Sequence, residues 1–126
     1  MINNPIPHEN LEMRAAELYR SMGHRIQRVV SRQFYTSDLV IRSEHGEKWL
    51  VRCERQDTVD EAAVRKLYSA MEVEGATQGI MIATGVITGD AQHFAEAFPI
   101  HLMDLHQFQE CIRQASAFAE GKTKAI

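Results

Sequence analysis

Lys48-Trp49-Leu50-Val51-Arg52-Cys53-Glu54-Arg55 is the stretch on which the fold turns. Trp49, Val51 and Cys53 alternate with Lys48, Leu50, Arg52 and Glu54, the period of two that a β-strand imposes on its faces. The first set is apolar and belongs to a core. The second puts charge beside Leu50, so that face is either solvated or a site. Just upstream, Glu44-His45-Gly46-Glu47 has the make-up of a hairpin turn, with Gly46 supplying positive φ. Asp38 to Ser43, rich in Leu, Val and Ile, is then the antiparallel partner. A turn near residues 45–46 puts Asp38 across from roughly Glu54.

Working outward, Leu11, Ala15, Leu18, Tyr19 and Met22 recur at helical spacing and predict a helix over 10–22, capped by Asn10 and stopped by Gly23. Arg25 to Val30 reads as a short strand and 31–36 as a loop. Downstream, Thr58-Val59-Asp60-Glu61 has the form of a capping box, with Thr58 as cap and Glu61 bonding back. Its helix runs to about Val73, buries Val64, Leu67, Tyr68 and Met71, and ends at Gly75. Gly79 to Ala83 is a continuous apolar run, as in a strand covered on both faces. Thr88-Gly89-Asp90 opens a short helix to about Phe98, which Pro99 breaks. Ile100 to Met103 is a strand, and Asp104 with Gln107 caps a last helix that holds Leu105, Phe108 and Ile112 inward. This order predicts an α/β fold with a mixed sheet, an antiparallel hairpin followed by parallel strands, flanked by helices. The whole chain, 1–126, reads as one domain, with 1–9 an extended arm around Pro5 and Pro7 and 119–126 a frayed tail.

Composition narrows the class. At 126 residues the chain has room for one core and little more. A net charge of −3 argues against a strongly basic nucleic-acid coat, yet residues 1–55 carry nine Lys/Arg against seven Asp/Glu while the remainder carries five against ten. Two cysteines without a CxxC give no zinc site and point to a reducing, cytoplasmic compartment. The N-terminus has no signal-peptide pattern, and no apolar run is long enough to span a membrane.

Familiar catalytic motifs are absent: no P-loop, no G-x-G-x-x-G, no H-E-x-x-H and no G-x-S-x-G. The glycine-containing stretch Ala83 to Gly89 follows a strand and leads to a helix start at Thr88, but a plain strand-to-helix turn explains it better than a phosphate loop. His101 and His106 are surface histidines rather than a metal pair. The charged strand is the remaining candidate. Asp38 and Glu54, brought together on a sheet, can hold a divalent cation through oxygen, and a hydrated Mg²⁺ can activate water against a phosphodiester. The competing reading is a partly buried cross-strand ion pair in which Arg52 or Arg55 neutralises Asp38.

From about Leu11 to Ile112 the chain resembles the catalytic domain of Mrr-type (type IV) restriction endonucleases, within the PD-(D/E)xK nuclease superfamily. Leu11-Glu12 and Met22-Gly23-His24 resemble the opening and stop of the family's first helix. Ser37-Asp38-Leu39-Val40-Ile41 resembles its Gly-Ile-Asp strand, and Val51-Arg52-Cys53-Glu54 its Val-Gln-Cys-Lys strand. Gly75-Ala76-Thr77-Gln78-Gly79-Ile80-Met81-Ile82-Ala83-Thr84 resembles its Gly-Ala-x-x-Gly-Ile-x-Val-Thr-Thr segment. The resemblance implies a restriction-endonuclease-like fold and a site in which the aspartate and a Gln/Glu hold Mg²⁺ while a lysine two residues on positions the attacking water. Asp38 matches the aspartate and Glu12 the helix glutamate that helps bind metal.

Two departures follow. Arg52 stands where Gln/Glu belongs, and it has no lone pair for a metal. Glu54 stands where lysine belongs. Lys66 on the next helix is a conceivable substitute, whereas Lys48 lies about 20 Å along the strand, too far to serve. The expectation is a nuclease-fold domain with a degraded catalytic set (Asp38, Arg52, Glu54, Glu12), binding DNA or serving as an assembly module, with Arg25, Arg28, Arg32, Arg52 and Arg55 on phosphates. The alternatives are an active Mg²⁺-dependent endonuclease with an Asp38/Glu54 metal site, and a protein-interaction domain without nucleic acid. A homodimer or a separate DNA-recognition subunit would be the partner in either DNA reading.

Overall fold

In the computed structural model, which describes residues 11–32 and 36–124 (side chains to 117), α1 spans Leu11–Ser21 and β1 Arg25–Ser31. Then come β2 (Thr36–Arg42), β3 (Lys48–Glu54), β4 (Thr58–Val59), α2 (Glu61–Glu74), β5 (Gln78–Ala83), β6 (Val86–Ile87), α3 (Gly89–Ala95), β7 (Ile100–Asp104) and α4 (Leu105–Lys124). The main sheet is ordered β1-β2-β3-β5-β7. Its first three strands are antiparallel and its last three parallel, so the mixed sheet is as the sequence predicts. The predicted arm at 1–9, the Asn10 cap and positions 33–35 of the predicted loop lie outside the described residues. So do the side chains of the predicted tail, into which the α4 backbone runs as far as Lys124.

The site strand β3 is the middle strand of this sheet. Its Trp49/Val51/Cys53 face joins Leu39, Ile41, Ile80 and Ile82 in a core roofed by α1 and by Phe108 of α4. The other face is no solvated surface. Leu50 packs with Val40 and Met81 against Val64, Leu67 and Met71 of α2, and Arg52 and Glu54 lie buried beside them. Burial on both sides is the reason the strand tolerates no change of register.

Three expectations need correcting. The hairpin places Asp38 opposite Arg52, and Glu54 opposite Thr36. The cause is the turn: Ser43 N–H bonds Glu47 O at 2.7 Å and Gly46 N–H bonds Ser43 O at 2.9 Å, which centres the loop on His45. Thr58 is not the α2 cap. It pairs in β4 with Val86 of β6, while Asp60, in extended conformation, accepts the Ala63 N–H, and Glu61 is taken by Arg65. Two short strands were therefore hidden in what reads as loop. Tyr68 is half-buried against Phe98 rather than in the core. The cap at Asp104 and Gln107 is reciprocal, as expected: each backbone N–H bonds the other's side chain, at 2.9 and 2.8 Å.

Candidate functional site

Direct cross-strand partners share a face, so Asp38 and Arg52 meet beneath α2. Asp38 is fully buried. Arg52 donates Nε to Asp38 Oδ1 at 2.7 Å and Nη2 to Oδ2 at 2.9 Å, the two-pronged fit of guanidinium to carboxylate. Arg32, at the end of β1, adds Nε to Oδ2 at 2.6 Å. One carboxylate thus holds two cations, one buried and one (Arg32) 45% exposed at its side chain.

Glu54 lies two residues further along β3 on the same face. The Thr36 hydroxyl sits 3.1 Å from both of its carboxylate oxygens. Burial pushes the Glu54 carboxyl above its ordinary range, against the pull of the Thr36 hydroxyl, a backbone N–H at Gln56 and the charges of Arg52 and Lys66. An open cleft of about 340 Å³ lies in front of the group, bordered by Arg32, Thr36, Arg52, Glu54, Asp60 and Lys66 among others.

The pH consequence has a definite sign. Folded Glu54 keeps its proton to higher pH than the unfolded chain does. Its contribution is therefore fully present below the unfolded carboxyl's value, about 4.3, and is lost as pH rises through the folded one. Glu54→Gln is neutral throughout. The variant is expected to melt higher than the parent at neutral pH and level with it in acid, read from melting curves across pH. A variant that melts lower at neutral pH would contradict the burial cause.

Glu12 is elsewhere. It leaves α1 to accept the Ser37 hydroxyl and to pair with Arg55. Ser37 neighbours Asp38 on β2, so its side chain points to the opposite face. Burial tends to raise the Glu12 carboxyl, but Arg55 and Ser37 more than offset it and hold the carboxyl below its usual range. Glu12 and Asp38 are thus separate ion-paired carboxylates and do not converge.

Of the five arginines singled out in the sequence, four are committed to carboxylates: Arg28 to Glu74, Arg32 and Arg52 to Asp38, Arg55 to Glu12. Arg25 has no carboxylate partner among the described residues. Thr36, Gln56 and Asp60 were missed as site residues. Thr36 was findable, since a hairpin centred on His45 makes it the partner of Glu54.

The donor set does not fit a divalent cation. Both Asp38 oxygens face guanidinium N–H groups, and Arg52 offers no lone pair. Among the described residues no three His, Cys, Asp or Glu converge as metal ligands.

Comparison with known proteins bears on the fold and the family. Among curated proteins none is similar enough to match. In solved structures the fold recurs in the MspJI restriction endonuclease in complex with a 27-mer oligonucleotide (TM-score 0.56, 17% identity, covering 84% of this chain and 27% of that one). It recurs in AspBHI, a DNA modification-dependent restriction endonuclease (0.57, 15%, 93% and 36%). EndoMS in apo form is a third (0.57, 18%, 75% and 45%). The chain therefore spans less than half the length of each. The restriction endonuclease model Mrr_cat matches residues 4–112, a span that includes the site strand, the Asp38 hairpin and both parallel crossovers. The chain belongs to that Mrr_cat restriction endonuclease family.

Proposed function

We propose that this restriction-endonuclease-like domain engages DNA as a recognition or assembly module and does not cleave it. One observation carries the reading: both oxygens of Asp38, which resembles the family's metal-binding aspartate, are already taken by Arg52 and Arg32. A cation would have to displace a buried, two-pronged ion pair, and the arginine would be left buried without its counter-ion. Glu54, in the lysine position, brings no positive charge to a developing phosphoryl group.

Engagement of DNA is supported by the fold, which in MspJI is described in complex with an oligonucleotide. Arg25 and the exposed part of Arg32 are the arginines best placed for phosphate. A second copy or a separate recognition subunit would supply the sequence preference. No helix among the described residues is long and apolar enough to cross a membrane.

Supercoiled plasmid incubated with the protein and Mg²⁺ or Mn²⁺ is expected to stay intact. A DNA duplex is expected to bind at low salt and to weaken steeply as salt rises. Cleavage that disappears in Asp38→Ala would overturn the proposal in favour of an active metal-dependent endonuclease. A homodimer indifferent to DNA at low salt would favour a protein-interaction role instead.

A further inference from the structure

Three cations (Arg32, Arg52, Lys66) and three carboxylates (Asp38, Glu54, Asp60) meet around the cleft beside the Asp38 clamp, so which of them keep free donors or acceptors decides what it holds. Asp38 can neutralise one guanidinium, yet it binds two. Arg32 is the surplus. It reaches Asp38 through Nε alone, its side chain is 45% exposed, and its terminal nitrogens make no hydrogen bond among the described residues. Lys66, exposed on α2, borders the same cleft and forms no ion pair among the described residues. Two carboxylates oppose them. Asp60 is turned to its own helix, accepting the Ala63 N–H at 3.1 Å. Glu54 is the one that faces the cleft without a guanidinium bound to it among the described residues, held by Thr36.

We propose that this cleft seats one phosphate group of a nucleic-acid backbone directly, through Arg32 and Lys66, with no metal ion between, and that the charge of Glu54 sets how tightly. The proposal rests on the reading that the domain engages DNA and names the contact by which it does so. Phosphate suits the donors: the guanidinium offers a planar fork to its oxygens and the ammonium a compact charge. About 340 Å³ leaves room for the phosphate and part of a sugar. Arg52 then has a double task. It balances the charge of Asp38, and by doing so it keeps Arg32 from being consumed as the sole counter-ion.

Glu54 discriminates the two signs of site. Removing its charge strengthens an anion seat and weakens a cation seat. The full chain is titrated with a short DNA duplex at low salt in the presence of a chelator, with inorganic pyrophosphate as competitor. Lys66→Gln is expected to bind about fivefold more weakly. Its salt dependence should be shallower by about one ion. Glu54→Gln is expected to bind about threefold more tightly. Added Mg²⁺ should not tighten binding by the parent. Both variants lie outside the Asp38 clamp, and melting curves verify that they fold. If the parent binds duplex and both variants match it, the phosphate seat is overturned while the DNA reading stands. Weaker binding by Glu54→Gln with Mg²⁺-dependent binding by the parent overturns it too, in favour of a cation site. If the parent binds no duplex, the DNA reading fails. Pyrophosphate-induced resonance shifts at Lys66 and Arg32 then support the seat alone, and their absence overturns it.

Discussion

Arg52→Met is expected to melt about 10 °C below the parent. The substitution keeps most of the buried stem and removes the guanidinium. Asp38, with no exposed surface, then keeps one side-chain hydrogen bond among the described residues, from Arg32. Removing one member of a buried ion pair typically costs about 3–5 kcal/mol, because the partner charge stays desolvated. The surviving Arg32 contact puts this case near the lower figure. In a chain of this length each kcal/mol moves the midpoint by roughly 3–4 °C. The cost belongs to the orphaned charge rather than to the lost contact, and that distinction is measurable. Asp38→Asn combined with Arg52→Met leaves neither position of the pair as an unpaired buried ion and is expected to recover part of the loss. The coupling in the double-mutant cycle should exceed about 1 kcal/mol. Additive losses would mean that the two side chains do not depend on one another. Arg28→Gln, which loosens only an exposed pair with Glu74, should change stability by less than about 1 kcal/mol.

The fold was legible in the sequence wherever periodicity was strong. The alternation in Lys48 to Glu54, the apolar run at Gly79 to Ala83 and the stripe of Val64, Leu67 and Met71 all report burial, and burial is what builds the sheet and its helices. Strands of two residues escaped, because Thr58-Val59 and Val86-Ile87 are too short to show a period; they are held by backbone bonds between distant segments. Thr58 and Asp60 both suit a helix cap, and composition alone does not choose between them. Pairing with β6 draws Thr58 into extended backbone and leaves the cap to Asp60.

Candidate site residues were legible through alternation, which puts Asp38, Arg52 and Glu54 on one face. Their mutual register was not. A hairpin loop centred one residue earlier changes the partner of Asp38 from Glu54 to Arg52, and with it the meaning of the site, from two carboxylates facing each other to a carboxylate facing an arginine. The second arginine was beyond sequence reasoning in its actual role. Arg32 sits at the end of β1, and only the three-stranded pairing brings it to Asp38. Glu12 illustrates the converse. Its place on the first helix suggested a metal-binding role from sequence, while its side chain is spent on Ser37 and Arg55.

Gly85→Ala is expected to destabilise the domain by about 3 kcal/mol, because its backbone presses against another backbone. A Cβ at position 85 would lie 2.2 Å from the carbonyl oxygen of Asp57, 2.4 Å from that of Gln56 and 2.5 Å from the Asp57 carbonyl carbon. No rotamer relieves such a contact. The two segments are also tied on either side of it, by Thr84 N–H to Glu54 O at 3.0 Å and Val86 N–H to Asp57 O at 2.9 Å. Alanine must therefore push 84–86 away from 56–58, open the β4–β6 pair and shift Gln56 at the edge of the cleft. Gly79→Ala is the control. There the added carbon meets Met71 Sδ at 2.4 Å, the far part of a flexible side chain that can swing aside. Its cost should stay near about 1 kcal/mol. Urea unfolding of the two variants separates the cases, and DNA titration adds a second readout. Gly85→Ala should weaken duplex binding through the displaced cleft edge, while Gly79→Ala, remote from Arg32 and Lys66, should leave it unchanged. Equal unfolding midpoints would mean that the close approach of 56–57 to Gly85 does not hold the end of the site strand in place.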